Sequence, residues 1–435
     1  MRRAFGAPFV VVGLAVAVFA VGAVATADRG QGRGGNDTAS DAALTAVRRG
    51  DVASLQERLR VVPNDDGAWA ALGMAYLELA RSTADPAYYP KAESALERSL
   101  AEQKSDNFVA AAGMAALANA RHDFAGGRDW AKRGLDINPS SATLYGTLAD
   151  AETQLGRYPE ALEATQRMVD LSPDVASLAR VSYTWELRGD LVQARAVMQR
   201  AYDNALNPAQ RAVTRYYLGG LALNSGDAPG ALAHYEAGLA ADPSYTPLLE
   251  GRARAEMALG RDEDARRDLA DVVARLPEPA YVLLYGELLE SLGKTAEAAQ
   301  QYDLFRAEQR LFEANGVVVD VEAALFEADH GDAQRAIAAA EVGLRSRPFL
   351  DMQDAHAWAL HRAGRNDEAL AAVTRALSLG TRNPLTEFHA GMIEHALGNA
   401  EPARRHLERA LAMNPAFHPL HAKTARDTLA TLARG

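Results

Sequence analysis

The sequence predicts an all-α solenoid of about ten stacked helical hairpins, on three observations. Glycines at 156, 189, 226, 260, 293, 331, 364 and 398 recur every 33 to 38 residues, the signature of stacked supersecondary units. Small residues keep register with them. Five positions after each glycine stands Ala (161, 194, 231, 265, 298, 336, 369, 403), and seven before it stands Ala149, Ser182, Gly219, Ala253, Gly286, Ala324, Ala357 or Gly391. Finally, 48% of the residues are apolar but only 7% aromatic, and Ala makes up about a fifth of the chain, which favours closely packed helices and excludes an all-β fold.

Each element follows from that register. A small residue on either side of a tight turn lets two antiparallel helices approach at the short end of the usual range, so each unit is a helical hairpin. Pro139, Pro173, Pro208, Pro243, Pro277, Pro348, Pro384 and Pro415 fall at or near unit boundaries, where proline can begin a helix but not continue one. A chain of 435 residues is too long for one ordinary core, and its last 400 residues show no composition break, as expected of a repeat array.

Trp69, Leu72, Gly73 and Tyr76 match W-x2-L-G-x2-Y, and Leu155-Gly-Arg-Tyr-Pro-Glu-Ala-Leu162 and Asp242-Pro-Ser-Tyr245 match turn and boundary motifs; in these the chain resembles the tetratricopeptide repeat (TPR) family. The resemblance spans residues 63 to about 416 and implies a right-handed superhelix whose first helices line a concave groove that accepts an extended peptide or helix. Three departures stand out. Ser82 to Pro90 lengthens the first turn, His122 takes the glycine position of the second unit, and the unit between Gly293 and Gly331 is overlong, with Gly316-Val-Val-Val-Asp320 interrupting the pattern. A lengthened second helix followed by a loop is the expectation there, with a kink or shifted register as the alternative. Residues 39–62 and 417–435, the latter with a helix from Leu420 to Ala433, read as caps, because an array otherwise leaves an apolar face in water at each end.

Residues 1–27 read as an address. Arg2 and Arg3 precede an uncharged Val- and Ala-rich stretch, Ala4 to Ala27, that ends in Ala25-Thr-Ala27, similar to a cleavage site for an export signal. The stretch is also long enough to be an uncleaved membrane anchor. Either way the two arginines stay in the cytoplasm and the body lies outside, with membrane contact only through residues 4–27. Residues 28–38 are a Gly-rich linker. The G-x-G-x-G-G run of Gly30 to Gly35 lacks the preceding strand that a dinucleotide loop requires.

The formal charge is -11, with residues 1–35 positive, so the body lacks the concentrated basic surface of a nucleic-acid binder. Arg far outnumbers Lys, which suggests a GC-rich bacterial source. The absence of Cys excludes disulfides, thiolate metal sites and a Cys nucleophile. No phosphate loop, G-x-S-x-G elbow or H-E-x-x-H is present, so we expect no enzyme, no catalytic residues and no cofactor. Glu152, Glu256, Glu327 and Glu394 recur four residues before a turn glycine, but one per unit and without a nucleophile, and are expected to bond between repeats or to lie exposed.

The partner is expected to be a protein or peptide. Positions six and ten residues before the turn glycines form the candidate concave stripe: Tyr183, Tyr216, Arg254, Glu287, Leu325, Trp358, Phe388 and Met392. Aromatics and Arg dominate binding energy at interfaces; the competing reading is that Tyr183, Trp358 and Phe388 pack between repeats as core. Seven of the ten His lie after residue 355, and His361, His395, His418 and His421 are weak candidates for a transition-metal site. The tail Pro415-Ala-Phe-His-Pro-Leu-His-Ala422 is similar to the ends of exported bacterial TPR proteins found near nickel or cobalt permeases, which makes accessory service in metal uptake the alternative to a scaffold.

Overall fold

The computed structural model describes residues 52–318 and 321–434. The proposed signal or anchor (1–27), the linker (28–38) and the first part of the 39–62 helix lie outside the described residues, as do residues 319 and 320. Among the described residues are 22 α-helices and no strand. Helix α1 (Val52–Val61) leads into ten hairpins: α2 (Asp66–Thr83) with α3 (Tyr89–Glu102), α4 (Phe108–Ala120) with α5 (Phe124–Ile137), α6 (Ala142–Gln154) with α7 (Tyr158–Leu171), α8 (Val175–Glu186) with α9 (Leu191–Asp203), and α10 (Pro208–Leu223) with α11 (Ala228–Ala241). They continue as α12 (Thr246–Ala258) with α13 (Asp262–Arg275), α14 (Pro279–Ser291) with α15 (Thr295–Ala314), α16 (Val321–His330) with α17 (Ala333–Ser346), α18 (Leu350–Arg362) with α19 (Asn366–Ala376), and α20 (Pro384–Ala396) with α21 (Ala400–Met413). Helix α22 (His421–Leu432) closes the chain. The all-α solenoid is thus the observed fold. No helix among the described residues is long and apolar enough to cross a membrane.

The turn chemistry explains the period. At Gly156 the backbone is left-handed (φ 68°), and Arg157 N–H reaches back to Glu152 O at 2.8 Å, satisfying a carbonyl that the helix end would leave open. Seven of the eight turn glycines share this conformation, with φ between 68° and 80°. Gly331 does not; there the absent side chain provides space, because a Cβ would lie 2.2 Å from the Glu327 carboxylate. His122 stands at φ 60°, a conformation that costs a non-glycine residue about 1–2 kcal/mol. Its ring has a use in return, lying 3.3 Å through Nδ1 from Val318 O and stacking on Phe124. After several turns an Asp caps the second helix, as Asp190 accepts from Gln193 N–H at 3.0 Å.

The small residues meet as their register requires. All eight alanines after the turns and all eight small residues before them are buried. Ser182 Oγ donates to Ala194 O at 2.8 Å, bonding one such pair directly. Tyr235 fills the space that two glycines leave: Cβ atoms at Gly219 and Gly251 would lie 2.5 and 2.3 Å from its ring.

The described residues form two compact units. One holds the chain up to Arg180 together with 311–318. The overlong repeat resolves as the extended 20-residue α15, of which only residues 311–314 belong here, followed by a loop whose Val318 N–H donates to Arg121 O at 3.0 Å. Within the same unit Arg180 forms a bidentate pair with Asp150 (2.9 and 2.7 Å), both side chains being buried. The first turn's extra residues form a short 3-10 turn, Pro86–Tyr88, capped by Asp85.

The other unit holds 181–310 and the described residues from 321 onward, and it closes on itself. Thr381 Oγ1 donates to Leu187 O, and a Cβ at Gly189 would meet Gly380 O at 2.3 Å, so the loop before α20 seats on the turn between α8 and α9. A Cβ at Gly226 would likewise lie 3.5 Å from Met413 O at the end of α21.

Two outcomes follow for stability. Gly219→Ala should destabilise by about 1–3 kcal/mol through overpacking against Tyr235, and Gly219→Ala with Tyr235→Leu should recover part of that loss; equal denaturant midpoints for Gly219→Ala and wild type would contradict the packing described. Arg180→Met, which leaves Asp150 buried without its partner, should cost about 3–5 kcal/mol in urea unfolding, and adding Asp150→Leu should restore most of it.

Candidate partner-binding groove

The first helices α8, α10, α12, α14, α16, α18 and α20 carry the eight stripe residues, and the structure sorts them into two groups. Tyr216, Glu287, Trp358 and Phe388 are buried; Tyr183, Arg254, Leu325 and Met392 are half-buried. Tyr216 packs among Tyr217, Tyr235 and Tyr245 with ring centroids 5.4 to 6.4 Å apart, and burial, then the charge of Glu250, pushes its phenol well up. Arg254 is paired with buried Glu250 one turn earlier on α12. Leu325 bridges two apolar clusters, and Met392 accepts Thr428 Oγ1 at 3.7 Å. Trp358 and Phe388 are thus buried among neighbouring side chains, whereas Tyr183 is half-buried.

The part of this face over α12 to α20 is covered by the chain's own segment between α21 and α22. The terminal helix expected over Leu420 to Ala433 runs from His421 to Leu432, and before it Pro415 and Pro419 bracket turns and bends that run against the inner helices. Ala416 packs against the cluster of Ala253, Met257 and Leu288. Phe417 is 4% exposed and lies 5.6 Å, centroid to centroid, from Phe388. His418 Nε2–H donates to Glu287 Oε2 at 3.1 Å, while its Nδ1 accepts from the N–H groups of Leu420 and His421 at 3.2 and 3.4 Å. His421 stacks on Phe388 (4.8 Å, 18°) and bonds Asp329 Oδ2 at 3.0 Å. A cavity of about 20 Å³, roughly one water, remains between Phe417, Pro419, Arg254, Met257 and Asn224.

The carboxylates beneath the segment are held ionised. Burial works to raise Glu287, but the His418 and His330 imidazoles outweigh it and hold its carboxyl at about 2. Asp329 is held low in the same way, burial being overcome by His421, with Trp358 Nε1–H also donating to it at 2.9 Å. His330 is raised, since Glu287 more than offsets its burial, and His421 is lowered, first by burial and then by neighbouring His418. Alongside, His389 is fully buried, stacked on Trp358 at 4.3 Å and bonded to Asp354 at 3.0 Å.

The weak metal candidates are placed as follows. His418 and His421 stack on each other at 4.2 Å and each bonds a carboxylate; His361 bonds Asn366 at 2.7 Å; His395 is exposed. Among the described residues there is no group of three or more His, Asp or Glu arranged to hold a metal ion. Of the recurring glutamates, Glu152 lies 3.2 Å from Lys132, Glu327 pairs with Arg335 at 2.9 Å, and Glu256 is pushed up to about 7 by burial and by Asp268. Sequence reasoning missed Glu250, Asp329, His330 and Asp354. Glu250 could have been found from its i, i+4 spacing to Arg254; the partners of the others lie on separate hairpins, so no spacing signals them.

A family model described as tetratricopeptide repeat matches residues 222–288. No curated protein matches the chain. Among solved structures, it is similar to a tetratricopeptide repeat protein from Parabacteroides merdae (20% identity, 60% of this chain and 99% of that one, TM-score 0.34). It is also similar to the APC/C hetero-tetramer Cut9–Hcn1 (16%, 91% and 84%, 0.44) and to YrrB, a TPR protein with an unusual peptide-binding site (16%, 43% and 94%, 0.29). The family model falls on α10 to α14, and the ten hairpins keep the register that the motif residues set, so the described residues have the fold of a tetratricopeptide repeat array.

Proposed function

We propose that this protein is a non-enzymatic scaffold that holds a peptide or helix of a protein partner on the inner helices of its hairpins, at or outside the cytoplasmic membrane. One observation carries the reading: the face lined by α12 to α20 takes up a run of turns and bends, and the start of the helix that follows, through an aromatic side chain and two imidazoles. A surface that accommodates one such stretch has the aromatic floor and fixed hydrogen-bonding groups that peptide recognition needs. The half-buried Tyr183 and Leu325 are the stripe residues where contact with a partner can be sought without opening the core. The location rests on the basic start and apolar stretch of residues 2–27.

Photo-crosslinking amino acids at Tyr183 and Leu325 should capture a defined partner in the producing cells, whereas one at outward Val192, which is 76% exposed, should not. Capture from Val192 alone would move the interface to the outer face. Fractionation with sequencing of the mature amino terminus should find the protein either starting after Ala27 or held in the membrane with its body outside; a wholly cytoplasmic full-length chain would reject the location.

A further inference from the structure

Several helices of the chain start under an Asp, Asn or Ser side chain, as at Asp65, Asn107, Ser141 and Asn383, whose oxygens accept from N–H groups of the first turn. Helix α22 starts differently. Leu420, the residue before it, has no side-chain acceptor, and the role passes to an imidazole two residues earlier. His418 O accepts from Ala422 N–H at 3.3 Å, the first bond of the helical ladder, and His418 Nδ1 accepts from the N–H groups of Leu420 and His421 at 3.2 and 3.4 Å. Pro419 lies between, at the first-turn position where a missing N–H costs nothing. His418 thus stands where a Ser or Asn cap stands, with one chemical difference. The oxygen of Asn or Ser accepts whatever the pH, whereas an imidazole nitrogen accepts only while it carries no proton, and histidine changes charge between about pH 5 and 8.

We propose that His418 is a proton-sensitive cap, so that mild acid loosens the start of α22 and with it the end of the carboxy-terminal unit. The two ring nitrogens of His418 answer a proton differently. Nε2–H faces Glu287 on α14 at 3.1 Å, where a cation is favoured. Nδ1 faces two N–H donors at the positive end of a helix, where a cation is disfavoured and a further donor finds no acceptor. Proton uptake therefore keeps the pair with Glu287 and gives up the cap. The carboxylates around the ring do not take part in the change: Glu287 on α14 and Asp329 on α16 are held ionised well below this range. From α16, His330 also faces Glu287, with Glu290 at 3.6 Å from its other nitrogen, and these carboxylates favour its cation. From α22 itself, His421 stacks on His418 at 4.2 Å and bonds Asp329, and the stack disfavours charging both rings. Arg254 on α12 borders the gap beside Pro419. What the cap secures is the contact of α22 with the core, since Ala422 and Ala425 are buried in the cluster of Phe388, Ile393 and Leu407.

The test is hydrogen exchange of the full chain, read by mass spectrometry as the protection of residues 420–424 relative to free-chain rates at about pH 7.5 and about pH 5.5. In wild type this protection should fall about two- to thirtyfold on acidification, the effect of losing one cap, while the middle of α20 keeps its own. H418N, whose amide oxygen caps without titrating, should hold steady at both values, and H418A should be poorly protected at both. H421Q and H330Q should retain the wild-type fall. Equal wild-type protection at the two pH values overturns the proposal, and so does a fall of wild-type size in H418N. Should H418N not fold, the other variants decide: a fall that survives in both H421Q and H330Q supports His418 as the sensor, and one that either abolishes overturns it.

Discussion

Everything in this chain depends on how closely the two helices of each hairpin can approach. The approach is set by paired small residues, one before and one after a left-handed turn, as Ser182 with Ala194 or Ala253 with Ala265. Because the contact is made between backbones and methyl groups, the larger side chains are left to pack between neighbouring hairpins, where Tyr235 lies against two glycines and Leu144 is enclosed. The tight contact also explains the composition: abundant Ala, few aromatics, and aromatics concentrated where successive first helices meet.

That concentration shapes the inner face of the carboxy-terminal unit. Burial there is not purely apolar, since Glu250, Glu287, Asp329 and Asp354 lie beneath or beside aromatic rings, each with a specific donor on another helix or another turn. Buried carboxylates of this kind add little net stability compared with apolar replacements, but they penalise any arrangement that leaves them unpaired. They thereby select which segment can lie over them and in which register. Tyr302, bonded through its hydroxyl to Glu290 and packed on His330, belongs to the same arrangement.

The fold was largely legible in the sequence because its determinants are local: a glycine, an alanine five residues on and a small residue seven back describe one hairpin without reference to any other. His122 was legible as an exception, though not its reason, since the carbonyl of Val318 is brought to it only by the folded chain. The groove was legible in part. Counting back from the turn glycine finds the first-helix face and hence Trp358 and Phe388, but periodicity cannot say whether that face is open, and the pairing of His418 with Glu287 or of His421 with Asp329 is a consequence of closure. Residues 415–420 form turns and bends between two prolines, and Phe417 and His418 find their partners on earlier helices.

The return of the chain onto the turn between α8 and α9 changes what kind of object the carboxy-terminal unit is. An open row of repeats has two free ends and can lose its terminal members one at a time, each loss removing a single neighbour interface. Here the hairpin α20/α21 is also fastened at its far side, through Thr381 to Leu187 and through the approach of Met413 to Gly226. Releasing it breaks contacts on two sides at once, so fraying loses its usual starting point. The unit behaves less like a row than like a band, whose mechanical and thermal failure is concerted.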